Sequence, residues 1–276
     1  SGASYVVFGK ASGFDANVNL SGLNGTTGFK LSGVTAGDRA GTSVSSAGDI
    51  NGDGFADLIV GARGADPNGS YSGASYVVFG KASGFDANVN LSGLNGTTGF
   101  KLSGVAPSDY SGFSVSSAGD VNGDGFDDLI VGAHGADPNG SQSGASYVVF
   151  GKASGFAANI ELSGLDGSSG FKLSGVADNN FSGSSVSSAG DVNGDGFDDL
   201  IVGAKGASGL GLGASYVVFG HASGFTANIN LSSLDGFTGF KVTGAAAGEY
   251  SGTSVSSAGD FNGDGFDDLI IGAFGV

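Results

Sequence analysis

Short apolar runs, each bounded by glycine, asparagine or serine, recur along the whole chain. Examples are Tyr5–Phe8, Phe29–Leu31 and Phe55–Val60, together with Thr42–Ala47, which consists of small residues around one valine. β-Branched and aromatic residues in short runs between turn-forming residues are typical of strands. Good helix formers are scarce, and Ser12–Leu20 is the one segment whose composition allows a helical turn, which the pattern does not favour. The pattern predicts an all-β chain.

The apolar runs recur because the chain consists of four copies of one unit. The block Gly-Ala-Ser-Tyr-Val-Val-Phe-Gly begins at residues 2, 73, 144 and 213, with spacings of 71, 71 and 69 residues. Four short strands in a unit of this length predict a β-propeller with one four-stranded antiparallel blade per unit. Because both faces of a blade pack on neighbouring blades, its strands are apolar almost throughout. The alternative is a parallel β-helix, whose coils are usually much shorter than this unit.

The amino-acid composition is consistent with such a repeat and excludes several kinds of site. Glycine accounts for 57 of the 276 residues, but it recurs with the repeat at turns and close-packed positions, which argues against disorder. Hydrophobic residues make up 39% of the chain, enough to build a core. The absence of cysteine excludes disulfides, thiolate metal sites and cysteine nucleophiles.

The charge balance is strongly acidic, with 26 acidic against 10 basic residues and a net charge of −16. Such a chain repels phosphate backbones and anionic membranes and attracts divalent cations, so no nucleic-acid partner is expected. No run of 18 apolar residues occurs, and we therefore expect no membrane insertion. No leader segment is present, and we expect any signal peptide to lie outside this sequence.

The motif Asp-x-Asn-x-Asp-Gly-x-x-Asp occurs once in every repeat. Acceptor oxygens at positions 1, 3, 5 and 9, with the backbone carbonyl at position 7, form a donor set that suits calcium. Position 12 is Val60, Val131, Val202 or Ile271 instead of the glutamate of an EF-hand. The alternative is a set of hairpin turns with solvated acids. We predict one calcium ion per repeat, four per chain, bound by Asp49, Asn51, Asp53, Phe55, Asp57, Asp120, Asn122, Asp124, Phe126, Asp128, Asp191, Asn193, Asp195, Phe197, Asp199, Asp260, Asn262, Asp264, Phe266 and Asp268.

No combination of residues indicates an enzyme. His134 and His221 occupy different positions of the repeat and are expected to be exposed polar residues, and neither stands in an evident Ser-His-Asp arrangement. The adjacent acids Asp127 and Asp128 belong to a predicted calcium loop, which argues against glycosidase chemistry. We therefore predict a protein without catalytic residues.

Two blocks, residues 41–62 and 73–80, resemble the FG-GAP repeats of the integrin α-subunit β-propeller and its bacterial relatives, and the resemblance extends over the whole chain. It implies that the calcium loop joins the innermost strand A of a blade to strand B. Transferred to these residues, strand A is Ser43–Ala47, B is Leu58–Gly61, C is Ser75–Phe79 and D is Gly99–Leu102. The family's best-known propellers have seven blades, whereas this chain carries four repeats.

In this frame the chain opens at strand C and stops just after strand B. We expect one propeller domain over residues 1–276, with blades at 35–105, 106–176 and 177–244 and a composite blade of 1–34 with 245–276. The N-terminal C–D half-blade would then pair with the C-terminal A–B half-blade and close the ring. Pairing within one chain gives a four-bladed monomer, which is slightly favoured, and pairing between chains gives an eight-bladed homodimer.

The loops that connect D to A and B to C differ most between the repeats. In the family these loops share the face opposite the calcium loops, and that face binds ligand. The resemblance thus implies a ligand face with Arg39, Arg63, Tyr110, His134, Phe181, Lys205 and Tyr250, where Arg63, His134 and Lys205 replace the proline of the family's Gly-Ala-Pro step. The alternative is that these side chains only pack on strand A of the next blade.

The sequence therefore predicts a calcium-stabilised β-propeller that binds a protein or glycan as an adhesion module. A secreted or cell-surface location suits calcium sites of extracellular affinity. The alternative function is a structural spacer or assembly unit within a repeat array, with no ligand of its own.

Overall fold

The computed structural model describes residues 1–275 and shows an all-β chain that folds into repeated antiparallel sheets. The strands of the first half-blade are β1 Ala3–Val7 and β2 Gly28–Ser32. The complete blades contain β3 Ser43–Gly48, β4 Asp57–Ala62, β5 Ala74–Val78 and β7 Gly99–Ser103; β8 Ser114–Gly119, β9 Asp128–Ala133, β10 Ala145–Val149 and β12 Gly170–Ser174; and β13 Ser182–Gly190, β14 Asp199–Ala204, β15 Ala214–Val218 and β17 Gly239–Thr243. The last pair is β18 Ser254–Gly259 and β19 Asp268–Gly272.

Each complete blade is an antiparallel sheet with its four strands in chain order. In the first of them Val60 lies opposite Tyr76, and Tyr76 lies opposite Lys101 on the outer strand. The predicted four-stranded blades are confirmed. No predicted bound of strands A to D differs from the observed bound by more than one residue. Ser12–Leu20, the one segment whose composition allows a helical turn, bends irregularly before a short 3₁₀ helix at Leu20–Gly22.

Three further strands connect each blade to the one before it. They are β6 Asn88–Asn90, β11 Asn159–Glu161 and β16 Asn228–Asn230, each followed by a 3₁₀ helix at Leu91–Gly93, Leu162–Gly164 or Leu231–Ser233. β11 belongs to the C–D connection of the second complete blade, yet it pairs in parallel with β7 of the first. β6 pairs in the same way with β2, and β16 with β12. Consecutive blades are therefore joined by backbone hydrogen bonds as well as by side-chain packing.

The core lies between neighbouring sheets rather than inside one of them. Phe100 on β7 is fully buried and stacks on Phe156 of the following C–D connection, with 4.7 Å between ring centroids. The equivalent pairs are Phe29 with Phe85 and Phe171 with Phe225. These stacks bury aromatic surface at the first three blade junctions, which is where a propeller needs cohesion.

The innermost strands also connect neighbouring blades, through one carboxylate per junction. Asp127 of the second complete blade accepts a hydrogen bond from the backbone N–H of Asp49 in the first, at 2.7 Å. Asp198 and Asp267 accept the corresponding bonds in the next two junctions, each at 2.9 Å. The first repeat has Ala56 at this position. The three junctions between the four A strands are thus built alike.

The structure does not show the predicted closure of the ring within one chain. β1, β2 and β6 form a three-stranded sheet and β18 and β19 a two-stranded one, and within residues 1–275 no ladder joins β1 to β19. β3, β8, β13 and β18 pack in succession, but β18 does not pack on β3 in the same way. The composite blade of residues 1–34 and 245–276 is therefore not formed here.

Candidate metal loops and candidate ligand face

The four acidic loops join strand A to strand B at one end of each blade. A β-bulge ends strand A at Gly48, Gly119, Gly190 or Gly259 and turns the chain into the loop. In the loop of the second complete blade, Asp120 Oδ1 accepts hydrogen bonds from the N–H groups of Gly123 and Asp124 at 2.7 and 3.1 Å. Its Oδ2 accepts from Gly125 N–H at 2.8 Å. The first carboxylate of the motif therefore organises the turn.

The third and fifth positions of the motif continue this local pattern. Asn122 Oδ1 accepts from Asp124 N–H at 2.8 Å, and Asp124 Oδ1 accepts from Phe126 N–H at 3.1 Å. Gly125 has a φ of 88°, in the left-handed region, which a side chain disfavours. The same bonds recur in the other loops, so the sequence motif folds into the same turn each time.

The last carboxylate of the motif lies inside the protein. Asp128 is fully buried, and its two oxygens accept hydrogen bonds from the N–H groups of Val121 and Gly151 at 3.0 and 2.9 Å. The pKa of Asp128 is raised to about 8, mainly by burial and also by the nearby carboxylates of Asp124 and Asp120, against the lowering effect of the two backbone bonds.

The equivalent aspartates of the other blades are in the same position. Burial raises the pKa of Asp57 to about 6 and that of Asp199 to about 7, and in both loops the remaining carboxylates add to the effect. Asp268 is only half-buried, because no strand C covers the last blade. Three loops therefore contain a buried carboxylate surrounded by other acids.

A divalent cation suits the chemistry of these loops, although the side chains do not form a ready-made cage. Within residues 1–275 no three acidic or imidazole side chains are gathered closely enough to hold a metal ion as they stand. Each carboxylate oxygen has two lone pairs. Asp120 Oδ2, Asp124 Oδ1 and both oxygens of Asp128 accept one N–H bond each and keep a lone pair for a cation, whereas Asp120 Oδ1 already accepts two. Three carboxylates, an amide and a backbone carbonyl match the all-oxygen coordination of calcium.

The residues of the predicted ligand face lie at the end of strands A and B that is opposite the metal loops. Strand A begins and strand B ends there, since Ser43 pairs with Gly61. Arg39, Tyr110, Phe181 and Tyr250 occupy the same position of the repeat and all have left-handed backbones, with φ between 52° and 58°. Non-glycine residues in this region are uncommon and often have a functional role. The D–A loops thus present four strained positions at one end of the propeller.

Five of the seven predicted face residues are brought together in the middle of this surface. Tyr110 stacks on His134 with 5.5 Å between ring centroids, and Phe181 lies 6.3 Å from the same ring. Arg63 and Lys205 both approach His134 closely enough for their charges to lower its pKa. Burial is the larger cause, and the pKa of His134 falls to about 4. His134 is therefore a neutral, half-buried imidazole between two cations.

A residue that the sequence did not single out completes this group. Phe113 lies 4.1 Å from the His134 ring and 5.2 Å from the guanidinium carbon of Arg63. Its position is threonine or serine in the other repeats, and that difference would have identified it. We call Arg63, Tyr110, Phe113, His134, Phe181 and Lys205 the central strip.

The other predicted face residues lie apart from the central strip. Arg39 is exposed, and Tyr250 stacks on Phe274 with 5.3 Å between ring centroids. The prediction that both histidines are exposed is wrong. His134 is half-buried in the strip, and His221 is half-buried against the ring of Phe225 at 4.1 Å.

Comparison with known proteins supports the assignment of the repeats. A sequence profile of the FG-GAP repeat matches residues 40–78, 111–149, 182–218 and 251–275, slightly more than half of the chain. Integrin alpha-V of Gallus gallus is 30% identical over 235 residues, which are 83% of this chain and 19% of the integrin. Integrin alpha-5 of Xenopus laevis is 31% identical over 191 residues, 66% of this chain and 17% of the integrin.

Integrin alpha-PS5 of Drosophila melanogaster is 35% identical over 169 residues, 61% of this chain and 15% of the integrin. The chain thus spans less than a fifth of the length of these relatives. No helix within residues 1–275 is long and apolar enough to cross a bilayer. With one profile match in each of its four repeats, and with the strands of those repeats folded as blades, the chain belongs to the FG-GAP repeat family.

Proposed function

We propose that this chain is a calcium-stabilised, non-catalytic propeller module that binds a ligand in an adhesion role. The observation that carries the calcium part is the buried aspartate at the end of three loops. A carboxylate that is buried among other acids is costly unless a cation compensates it. One calcium ion per loop, held by the aspartates, the asparagine and the position-7 carbonyl of each motif, would supply that charge.

The metal would have a structural role in this proposal. A calcium ion would neutralise the three carboxylates of a loop and fix the turn between strands A and B. Because it binds the folded chain in preference to the unfolded chain, it would raise the free energy of unfolding by mass action. The four loops are built from the same local hydrogen bonds, which supports the same role for each.

The central strip supports the ligand-binding part of the proposal. Aromatic residues and arginine are enriched among the side chains that dominate binding energy at interfaces. Here they lie side by side on strained loops at the end of the blades away from the metal loops. The integrin relatives favour an adhesion role and a secreted or cell-surface location, where calcium is abundant.

Two measurements test the proposed function. Chelation with excess EGTA should lower the melting temperature by many degrees, and an unchanged midpoint would contradict the calcium role. A screen of the calcium-loaded chain against glycans and matrix proteins should yield a ligand whose binding is weakened by Tyr110→Ala. If Tyr110→Ala lowers stability and no ligand is found, the strip only packs the loops, and the chain is a structural spacer.

A further inference from the structure

The central strip is unusual in this protein because it concentrates positive charge. The chain has a net charge of −16 and only 10 basic residues, yet the charges of Arg63 and Lys205, which occupy the position of His134 in the repeats before and after it, both act on one imidazole. The charges that act on His134 are those two, and both are positive. Like charges held together cost free energy, which an anion placed between them would recover.

Polar atoms in the strip also lack partners. Arg63 Nε and His134 Nδ1 are both buried and make no hydrogen bond within the described residues. Buried polar groups are nearly always hydrogen-bonded, and those that are not call for an explanation. The guanidinium lies over Phe113 with its carbon 5.2 Å from the ring centroid, so the ring supports one face of the group.

We propose that the central strip binds the carboxylate side chain of an acidic peptide, with Arg63 and Lys205 on either side of the carboxylate and His134 beneath it. This inference rests on the proposed ligand-binding function and specifies its chemistry. Arginine suits a carboxylate because its planar fork can donate two parallel hydrogen bonds. The rings of Tyr110, Phe113 and Phe181 would contact the apolar neighbours of the acidic residue.

A peptide fits this surface better than an acidic sugar does. A sugar ring carries hydroxyl groups around its rim, and each needs a polar partner when it is buried. Between its two cations the strip offers the rings of Phe113 and Phe181 and an imidazole, with few neutral hydrogen-bonding groups. Aromatic rings instead favour the apolar side chains that flank an acidic residue in a peptide.

The two histidines of the chain allow a direct test. The probe is a blocked five-residue peptide with one glutamate between two phenylalanines, and the same peptide with glutamine is its control. In calcium, the glutamate peptide should raise the pKa of His134 by about one unit or more, measured by imidazole NMR between pH 4.5 and 7.5. His221 lies outside the strip and serves as the internal control.

Substitutions then identify the cations. Arg63→Gln or Lys205→Gln should weaken peptide binding by about fivefold each. Lys152→Gln is the matched control, because that lysine also lies over a phenylalanine ring but outside the strip, and it should leave binding unchanged. Equal affinity for the glutamate and glutamine peptides would overturn the carboxylate assignment, even if calcium stabilises the chain. Binding of a uronate oligosaccharide without binding of the peptide would also overturn it.

Discussion

Replacing Asp128 by asparagine is expected to change stability in opposite directions with and without calcium. In the folded chain the pKa of Asp128 is about 8, against an ordinary value of 3.8. At pH values between these two pKa values, the Asp128 carboxyl keeps its proton in the folded chain and releases it in the unfolded chain. Stability of the metal-free protein therefore falls as the pH rises from about 4 to about 8.

The size of the effect follows from the same shift. A solution at pH 7 is about three units above the pKa of the unfolded aspartate. The free energy of unfolding is therefore lower at pH 7 than below pH 4 by on the order of 4 kcal/mol. Asparagine has no charge to bury, but its amide replaces an oxygen that accepts a backbone N–H bond, at a cost of about 1 kcal/mol. We expect Asp128→Asn to raise the free energy of unfolding of the metal-free chain by about 3 kcal/mol at pH 7.

Calcium should reverse the sign. At a calcium concentration 100 times its dissociation constant, one site adds about 3 kcal/mol to the free energy of unfolding, and the variant should lose that contribution. The assay is urea denaturation at pH 5, 7 and 8, in EGTA and in calcium. Asp124→Asn is the control, since its exposed carboxylate is also a proposed ligand: it should lower stability in calcium without raising it in EGTA.

A result that would refute this reasoning is a loss of stability for Asp128→Asn in EGTA at pH 8. The hydrogen bonds to the carboxylate would then outweigh the cost of burying its charge. The loops would not need a cation, and the argument from burial to calcium would fail.

Three other substitutions test the packing of the blades by urea denaturation. At Gly99, where φ is 135°, an added Cβ would collide with the backbone of β5; at Gly54 it would meet open space, and only backbone strain of about 1 kcal/mol remains. Gly99→Ala should therefore lower the free energy of unfolding several times more than Gly54→Ala. Phe100→Ala should cost about 3–5 kcal/mol, because it empties a fully buried stack, whereas the 89% exposed Phe237→Ala should cost less than about 0.5 kcal/mol. Asp198→Ala should cost about 1–3 kcal/mol, because it leaves an N–H group at a blade junction without its acceptor, and equal stability would show that this bond is dispensable.

The blades could be predicted from the sequence because their signal is repeated four times. Strand A, predicted at Ser43–Ala47, is observed at Ser43–Gly48, and strand C, predicted at Ser75–Phe79, is observed at Ala74–Val78. The glycine and asparagine residues that bound each run leave little freedom in where a strand ends. Membership of the FG-GAP family followed from the same blocks.

The connections between blades could not be predicted in the same way. Asn159–Glu161 contains a single apolar residue, Ile160, and its pairing with β7 depends on where the neighbouring blade lies. Likewise, closure of the ring depends on the angle between blades, which no local pattern encodes. The sequence pattern alone therefore predicted a composite blade that the structure does not contain.

The turns of the acidic loops could be predicted from the sequence better than the burial of Asp128 or the surroundings of His134, because only the turns are local. The acidic loops are local, and the bonds from Asp120 and Asn122 follow directly from their spacing. The burial of Asp128 depends on Gly151, 23 residues later and just past the end of the neighbouring strand β10, and was not foreseen. The environment of His134 is likewise made by residues of three repeats, so one repeat position gave no sign of it.

The most direct test of the account is the number of calcium ions that the chain binds. The protein would be dialysed against calcium, and the metal and protein concentrations would then be measured by mass spectrometry and amino-acid analysis. The account predicts four calcium ions per chain, and three in the Asp128→Asn variant. Fewer than one ion per chain at millimolar free calcium would contradict it.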